Sequence, residues 1–371
     1  MRRLGRTASA GGLGLGLTLI LGLSPVAAAG SWWVRAPATA AAITAVASDQ
    51  GSSTLAISGG VAGWYSPGSG RFTEVPSTRP AASSGPLVAL AASGSLGVVA
   101  FGSGLLLEVR QNGATRQLPA VAGVPRALAV LTGDPALLVV ASSRGLYSGR
   151  LGFPLRPVVR GDGTAVTAPP RPGLDWLALV DGRLWTLAPG KSWVRGAGAP
   201  QMDPKTRALT ELADGSELVA EPGGLVWLGA QGRWQPDFQV LPYGGLGGVP
   251  PITALAADGA ASAYLATDGF GTMLTPDGGY TWYRAAPADP AISALATVGP
   301  VFAARPHGWV VALTAVGPFL HRLQALPAPP TYSPTSQTAE LAGTAAVTLS
   351  SALLVTLLLW ERARRRRARS V

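Results

Sequence analysis

There is no cysteine in this chain of 371 residues, and histidine occurs twice, at His307 and His321. No disulfide can staple the fold, so its stability has to come from buried apolar surface, and thiolate metal sites are excluded. The two histidines are not at a metal-ligand spacing, so neither a metal nor another cofactor is expected. Helical periodicity is missing as well, since between Trp32 and Pro327 no apolar stripe at a 3.6-residue period lasts longer than a turn or two. The serine-rich spots Ser52-Ser53 and Ser83-Ser84 lack a Gly-x-Ser-x-Gly elbow. Gly244-Gly-Leu-Gly-Gly248 has no helix pattern after it, so it reads as a connection rather than a phosphate loop.

Charge is scarce at both ends of the chain until it appears in blocks. Arg2, Arg3 and Arg6 precede an uncharged run from Thr7 to Ala29 that closes on Val-Ala-Ala-Ala. A basic start, an apolar run and a small-residue exit make a secretory signal peptide over 1–29, with an uncleaved anchor as the alternative. Leu341 to Trp360 is again uncharged, and Glu361-Arg-Ala-Arg-Arg-Arg-Arg-Ala-Arg follows at once. At ~1.5 Å per helical residue, residues 341–360 span a ~30 Å hydrocarbon core, and the basic tail 361–371 stays cytoplasmic by the positive-inside rule. The expectation is a single-pass cell-membrane protein with its main domain on the extracytoplasmic side. Leu341-Ala-Gly-Thr-Ala345 resembles the Leu-Ala-x-Thr-Gly sorting signal of some surface proteins, with Ala345 in place of the last glycine, and that reading stays open.

These ends also account for the apparent basicity. Without the three arginines before residue 30 and the six after Glu361, 20 basic residues face 18 acidic ones, near +2 rather than +10. Nucleic acid is therefore not an expected partner.

What the chain does have is a repeat. Ile43-Thr-Ala-Val-Ala returns as Leu87-Val-Ala-Leu-Ala, Ile252-Thr-Ala-Leu-Ala and Ile292-Ser-Ala-Leu-Ala, with weaker versions around Ala127, Ala165 and Ala208. From Ala45 through Ala89, Ala127, Ala165, Ala208 and Ala254 to Ala294 the spacings are 44, 38, 38, 43, 46 and 40 residues. About 40 residues is the length of one four-stranded propeller blade. Within the sixth unit, strands are expected at 252–256, 262–266, 271–275 and 281–285; in the second, at 97–101, 105–110 and 115–119 around the Asn112-Gly113 hairpin signal. The expected fold is all-β, a seven-bladed β-propeller over 30–327, with six or eight blades as the alternatives because the middle units are degenerate. A Pro/Ser/Thr-rich stalk over 328–340 leads to the apolar segment.

Between the third and fourth strands of the sixth unit stands Thr275-Pro-Asp277-Gly-Gly279-Tyr-Thr281-Trp282. It resembles, at every specified position, the Asp box (Ser/Thr-x-Asp-x-Gly-x-Thr-Trp) of bacterial neuraminidase repeat (BNR) propellers. The register recurs faintly at Thr186 to Trp193, and shortened forms occur at Ser69-Gly-Arg-Phe72 and Gln231-Gly-Arg-Trp234. The resemblance implies a structural hairpin, in which Asp277 ties down the turn, Gly279 gives a permissive backbone and Trp282 buries its ring between blades. Related propellers include sialidases, other glycosidases, sortilin-like receptors and non-catalytic photosystem II assembly factors. The last are the nearest in size and layout.

A sialidase needs a clamp of three arginines, a Tyr/Glu nucleophile pair and an early Phe-Arg-Ile-Pro type segment. The nearest string, Phe302-Ala-Ala-Arg-Pro306, lies in the last unit. Asp49, Asp175 and Asp258, the carboxylate candidates for a glycosidase, sit in turn or strand-edge contexts that read as solvated. No catalytic residue is therefore expected. One asymmetry remains: eight arginines face two aspartates from Arg110 to Arg171, near +6, and eight acidic residues face three basic ones from Asp203 to Asp268, near −5. Arg110, Arg116, Arg144, Arg150, Arg156 and Arg160 form a candidate docking patch for a protein or an anionic polymer. The expected function is a membrane-anchored, non-catalytic binding or assembly module, with a sialidase-like cell-surface glycoside hydrolase as the alternative.

Overall fold

The structure, a computed structural model, describes residues 33–323 except 37–42, 50, 134–135, 172, 231, 240–250, 258–260, 269–270, 281, 285–291, 299–307 and 315–316. The expected leader, stalk, apolar segment, sorting-like pentapeptide and basic tail lie outside the described residues, as do Thr281, Asp258, His307 and the Gly244–Gly248 run. Among the described residues no helix is long and apolar enough to cross a membrane.

Seven antiparallel four-stranded sheets account for the strands of the described residues, so the fold is an all-β, seven-bladed propeller. The blades begin with the strands Ile43–Val46, Leu87–Ser93, Pro125–Leu131, Gly163–Thr167, Ala208–Glu211, Ile252–Ala257 and Ile292–Val298, each carrying one of the seven repeat alanines. In six blades the next three strands follow in sequence order. In blade 7 the outer strand is instead Trp33–Arg35, from the other end of the chain, paired to Gly317–Leu323 with Trp33 opposite His321 and Arg35 opposite Phe319. The last blade is thus completed by the first described strand, and this pairing closes the ring.

The first strands of blades 2 to 7 lie against one another in succession, which makes them the inner strands, and that of blade 1 lies against blade 7. Small residues suit this crowded position. The second strands are covered by a blade on either side, and the alternation of a half-exposed strand disappears: Thr54–Ser58, Leu96–Phe101, Trp176–Val180 and Ala263–Thr267 are buried throughout. Every seam between consecutive blades has its own apolar cluster, including the closing seam, where Ile43, Ala56 and Tyr65 meet Val298, Val311 and Leu313. With no disulfide, these seams hold the ring. The outer strands carry the charge that protects exposed edges, for example Arg71–Glu74 and Arg156–Arg160.

The aromatic residue that follows the third strand has a shared job in four blades. Phe72 packs on the seam of blades 7 and 1, Trp193 on that of blades 3 and 4, Trp234 on that of 4 and 5, and Trp282 on that of 5 and 6. In each case the ring lies on the preceding blade.

Candidate functional site

The direction of the strands defines two faces. The inner strands all begin on one, the upper face, which also carries the hairpins joining second to third strands and the crossings from blade to blade. The lower face carries the turns joining first to second and third to outer strands. On it also lie Leu323, at the end of the third strand of blade 7, and Trp33, at the start of its outer strand.

At the upper rim of the channel the repeat motif produces a regular irregularity. In six blades the inner strand opens with a β-bulge, between Ile43 and Ala45, Leu87 and Ala89, Pro125 and Ala127, Gly163 and Ala165, Ile252 and Ala254, and Ile292 and Ala294. A bulge leaves one residue unpaired and re-aims it. Those residues are Thr44, Val88, Arg126, Thr164, Thr253 and Ser293, and Arg207 holds the corresponding place directly before Ala208. The Thr253 hydroxyl donates to the Ile292 carbonyl at 2.6 Å, linking blades 6 and 7. Arg126 reaches Asp162 of the next blade, with Nη1 2.8 Å from Oδ2. Asp162 is held in turn, because its N–H donates to Asp181 Oδ1 at 2.8 Å. Arg207 is exposed and makes no ion pair among the described residues. Two guanidinium groups thus stand two blades apart on the rim, one of them unneutralised.

The six arginines of the sequence-derived patch divide between the two faces: Arg110, Arg116, Arg150 and Arg156 lie at the lower end of blades 2 and 3, Arg144 and Arg160 at the upper end of blade 3. Arg110 and Arg116 both bond the buried carboxylate of Glu108, Arg110 Nη2 at 2.8 Å from Oε1 and Arg116 Nε at 2.9 Å from Oε2. Much of their charge is spent inside blade 2. Arg150 and Arg156 flank the hairpin at the lower end of blade 3, whereas Arg144 and Arg160 stand at its upper end. A blade of this length separates the two pairs by ~20 Å.

The glycosidase candidates also change character. Asp49 is buried rather than solvated: Oδ1 accepts from the N–H groups of Gly51 at 3.2 Å and Gly94 at 2.7 Å, and the Asp49 N–H donates to Thr297 at 2.8 Å. This one residue therefore ties blades 1 and 2 through its side chain and blade 7 through its backbone. Asp175 is half-buried beside Glu211, which is 4% exposed and lies directly across the strand pair from Glu217. Burial pushes the Glu211 carboxyl up to about 8, helped by the negative charge of Glu217, while the Asp175 N–H donates to it and partly opposes the rise. Burial likewise raises Glu217 to about 7. Among the described residues Glu211 Oε2 has no hydrogen-bond partner. Glu211 is buried and Glu217 half-buried on facing strands, and both hold their protons into the neutral range. Among the described residues no group of His, Cys, Asp or Glu could hold a metal ion.

The Thr275–Trp282 turn has the geometry of a self-supporting hairpin. The buried Thr275 hydroxyl donates to Asp277 Oδ1 at 3.0 Å and accepts from the Gly279 N–H at 2.8 Å, while the Gly278 N–H reaches the Ala261 carbonyl at 2.5 Å. Gly278 and Gly279 have φ of 80° and 103°, which other residues adopt only with strain. Asp277→Ala is expected to cost about 1 kcal/mol and Thr275→Val about 2 kcal/mol, since the second removes a donor and an acceptor at a buried site. Urea unfolding of both variants checks the order.

The chain is therefore a seven-bladed β-propeller with an arginine-bearing upper rim, a buried carboxyl pair and a hairpin-tied sixth blade. The sequence matches no protein-family model and no curated protein. Solved structures share the fold. YCF48 bound to D1 peptide superposes with a TM-score of 0.57 at 15% identity, over 80% of this chain and 96% of that one. YCF48 from Cyanidioschyzon merolae gives 0.52 at 14%, over 79% and 98%. Virginiamycin B lyase from Staphylococcus aureus gives 0.59 at 8%, over 79% and 98%. Binding proteins and an enzyme stand side by side in this set, so the likeness assigns the fold alone.

Proposed function

We propose that this protein is a membrane-tethered, extracytoplasmic binding module that uses the upper face of its propeller to hold a segment of a protein partner, without chemistry of its own. The leader (1–29), the stalk (328–340), the apolar anchor (341–360) and the basic tail (361–371) set this topology on the sequence argument given above. In this reading the 275–282 turn is an Asp box of the BNR type and marks the scaffold.

The observation that carries the reading is the rim. Arg207 is exposed and unneutralised where the inner strands begin, with Arg126 two blades along, a pairing suited to an anionic group such as a carboxylate of an extended peptide. A propeller of similar layout, YCF48, is known bound to a peptide. The Arg207→Glu/Arg126→Glu double variant should lose at least about tenfold of a partner recovered by affinity capture from solubilised membranes, because like charge at a docking site costs several kcal/mol. Recovery equal to wild type would sink the proposal. The parallel variant Arg144→Glu/Arg150→Glu/Arg156→Glu tests the arginine arc, and its residues lie at two ends of blade 3. Glycoside hydrolysis, the competing reading, requires two carboxyls open to one sugar bond. Turnover of fluorogenic glycosides by the solubilised protein, abolished in Asp175→Asn, would reverse the order.

A further inference from the structure

The lower face has a composition that its part in the fold does not require. Arg71, Arg150, Arg156, Arg171, Lys191 and Arg233 all sit there, exposed and without an ion pair among the described residues. Of the described acids at the same face, Asp49, Glu108 and Glu211 are buried, and Glu217 keeps its proton to about pH 7. That leaves Asp175, Asp214 and Asp277 against six cations. The upper face also carries exposed cations without an ion pair among the described residues, Arg144, Arg160, Arg183, Lys205 and Arg207, but sets Asp181, Asp203, Glu221 and Asp268 beside them and pairs Arg79 with Glu74 and Arg126 with Asp162.

Two further features fall on the lower face. Among the described residues the only exposed aromatic side chains are Phe153, 62% exposed at the tip of a blade 3 hairpin, and Tyr280, 64% exposed at the tip of the 275–282 turn. Both tips are turns from third to outer strand. The third strand of blade 7 also ends on this face, at Leu323, so the route to the apolar segment 341–360 leaves from it. A Pro-rich connection of the length of 324–340, extended at ~3.1 Å per residue, spans at most ~50 Å. Because it leaves from the lower face, that face is the one turned toward a bilayer holding 341–360, with the upper face a further ~20 Å away.

We infer that the lower face rests on the anionic lipid surface of the membrane in which the chain is anchored. The six cations face phospholipid headgroups, and Phe153 and Tyr280 enter at headgroup level, where aromatic rings partition. Each Lys or Arg near such a surface contributes about fivefold to its occupancy, and salt screens the effect. The inference rests on the anchoring in the proposed function, and it leaves the upper face free for a partner.

The absence of cysteine permits a direct test. The full chain, reconstituted in nanodiscs of phosphatidylcholine with or without phosphatidylglycerol, is labelled with a polarity-sensitive dye at Phe153→Cys, Tyr280→Cys or, as an upper-face control, Val124→Cys. Each lower-face variant retains the other aromatic residue. Co-elution with the discs reports anchoring by itself. The labels at 153 and 280 should shift to the blue and be quenched by headgroup-labelled lipid only when phosphatidylglycerol is present, and lose this with added salt or with Arg150→Glu/Arg156→Glu; the label at 124 should not respond. Anchored protein whose three labels behave alike would overturn the inference and leave the anchoring intact. Failure to enter the discs would overturn both. Protection of 153 and 280 that appears only with an added membrane-protein fraction would assign the face to a protein instead.

Discussion

Glu211→Gln is expected to make the propeller more stable at pH 8.5 and to leave it nearly unchanged at pH 5. The sign follows from the proton balance. Glu211 in the native state holds its proton to about pH 8, whereas an ordinary glutamate releases it near 4.5. Between those values the native state binds a proton that the unfolded chain has lost, so unfolding becomes easier as pH rises, with no further change from this group on either side. At about 1.4 kcal/mol per factor of ten in proton affinity, the native state gives up on the order of 5 kcal/mol across this window. Glu217, raised to about 7, titrates with it, and the two release their protons as a coupled pair. Arg171 offers partial relief, and Asp175 adds negative charge across the seam of blades 4 and 5. A neutral amide at 211 removes the ionisation and can still accept the Asp175 N–H. The unfolding midpoint of the detergent-solubilised chain, followed from pH 5 to 9, should fall in wild type and stay flatter in the variant, with a gap on the order of 5 °C at the alkaline end. Parallel curves would show that the pair carries no excess proton.

That pair is also where sequence reading stops. The blades were legible because every inner strand must present small residues at one crowded place, which writes an alanine at a nearly constant spacing into the chain from Ala45 to Ala294. Phe72, Trp193, Trp234 and Trp282 were legible for a similar reason, since each follows a turn and fills a seam. A carboxylate's surroundings are not periodic. Asp49 and Asp175 look like solvated turn residues in sequence, but the first is enclosed by blades 2 and 7, and the second lies beside a glutamate 36 positions away. The arginine arc is divided by the fold. Arg110, Arg116, Arg144, Arg150, Arg156 and Arg160 are close in sequence, yet consecutive strands run up and down a blade and divide them between its two ends. Arg207 and Arg126, which do share a rim, are 81 positions apart and are found only through the position before each repeat alanine, which a bulge unpairs in six of the seven inner strands.

The bond between the chain's first strand and its last blade makes Trp33→Ala the substitution with the largest expected cost. Trp33 is 7% exposed and meets Tyr264 of blade 6 edge to face, with ring centroids 6.3 Å apart at 87°. Its cluster joins Ala256 and Ala266 of blade 6 to Ile292, Leu295 and Val310 of blade 7. Truncation of a buried tryptophan costs about 3–5 kcal/mol, and an edge-to-face pair accounts for about 1 kcal/mol of that. The position raises the consequence beyond the number. The strand Trp33–Arg35 and the bond from the Ala36 N–H to the Pro318 carbonyl, 2.9 Å, are what complete blade 7, so weakening them frees the seam at which the ring can open. Signal-peptide cleavage near Ala29 would leave three residues before this strand, and a chain starting at residue 37 would lack the strand altogether. Denaturant unfolding should show Trp33→Ala losing at least about 3 kcal/mol and Trp33→Phe losing roughly half as much, and protease susceptibility in native buffer should rise first in blade 7. A loss below about 1 kcal/mol for Trp33→Ala would mean that the apolar seam of blades 7 and 1, rather than the exchanged strand, keeps the ring shut.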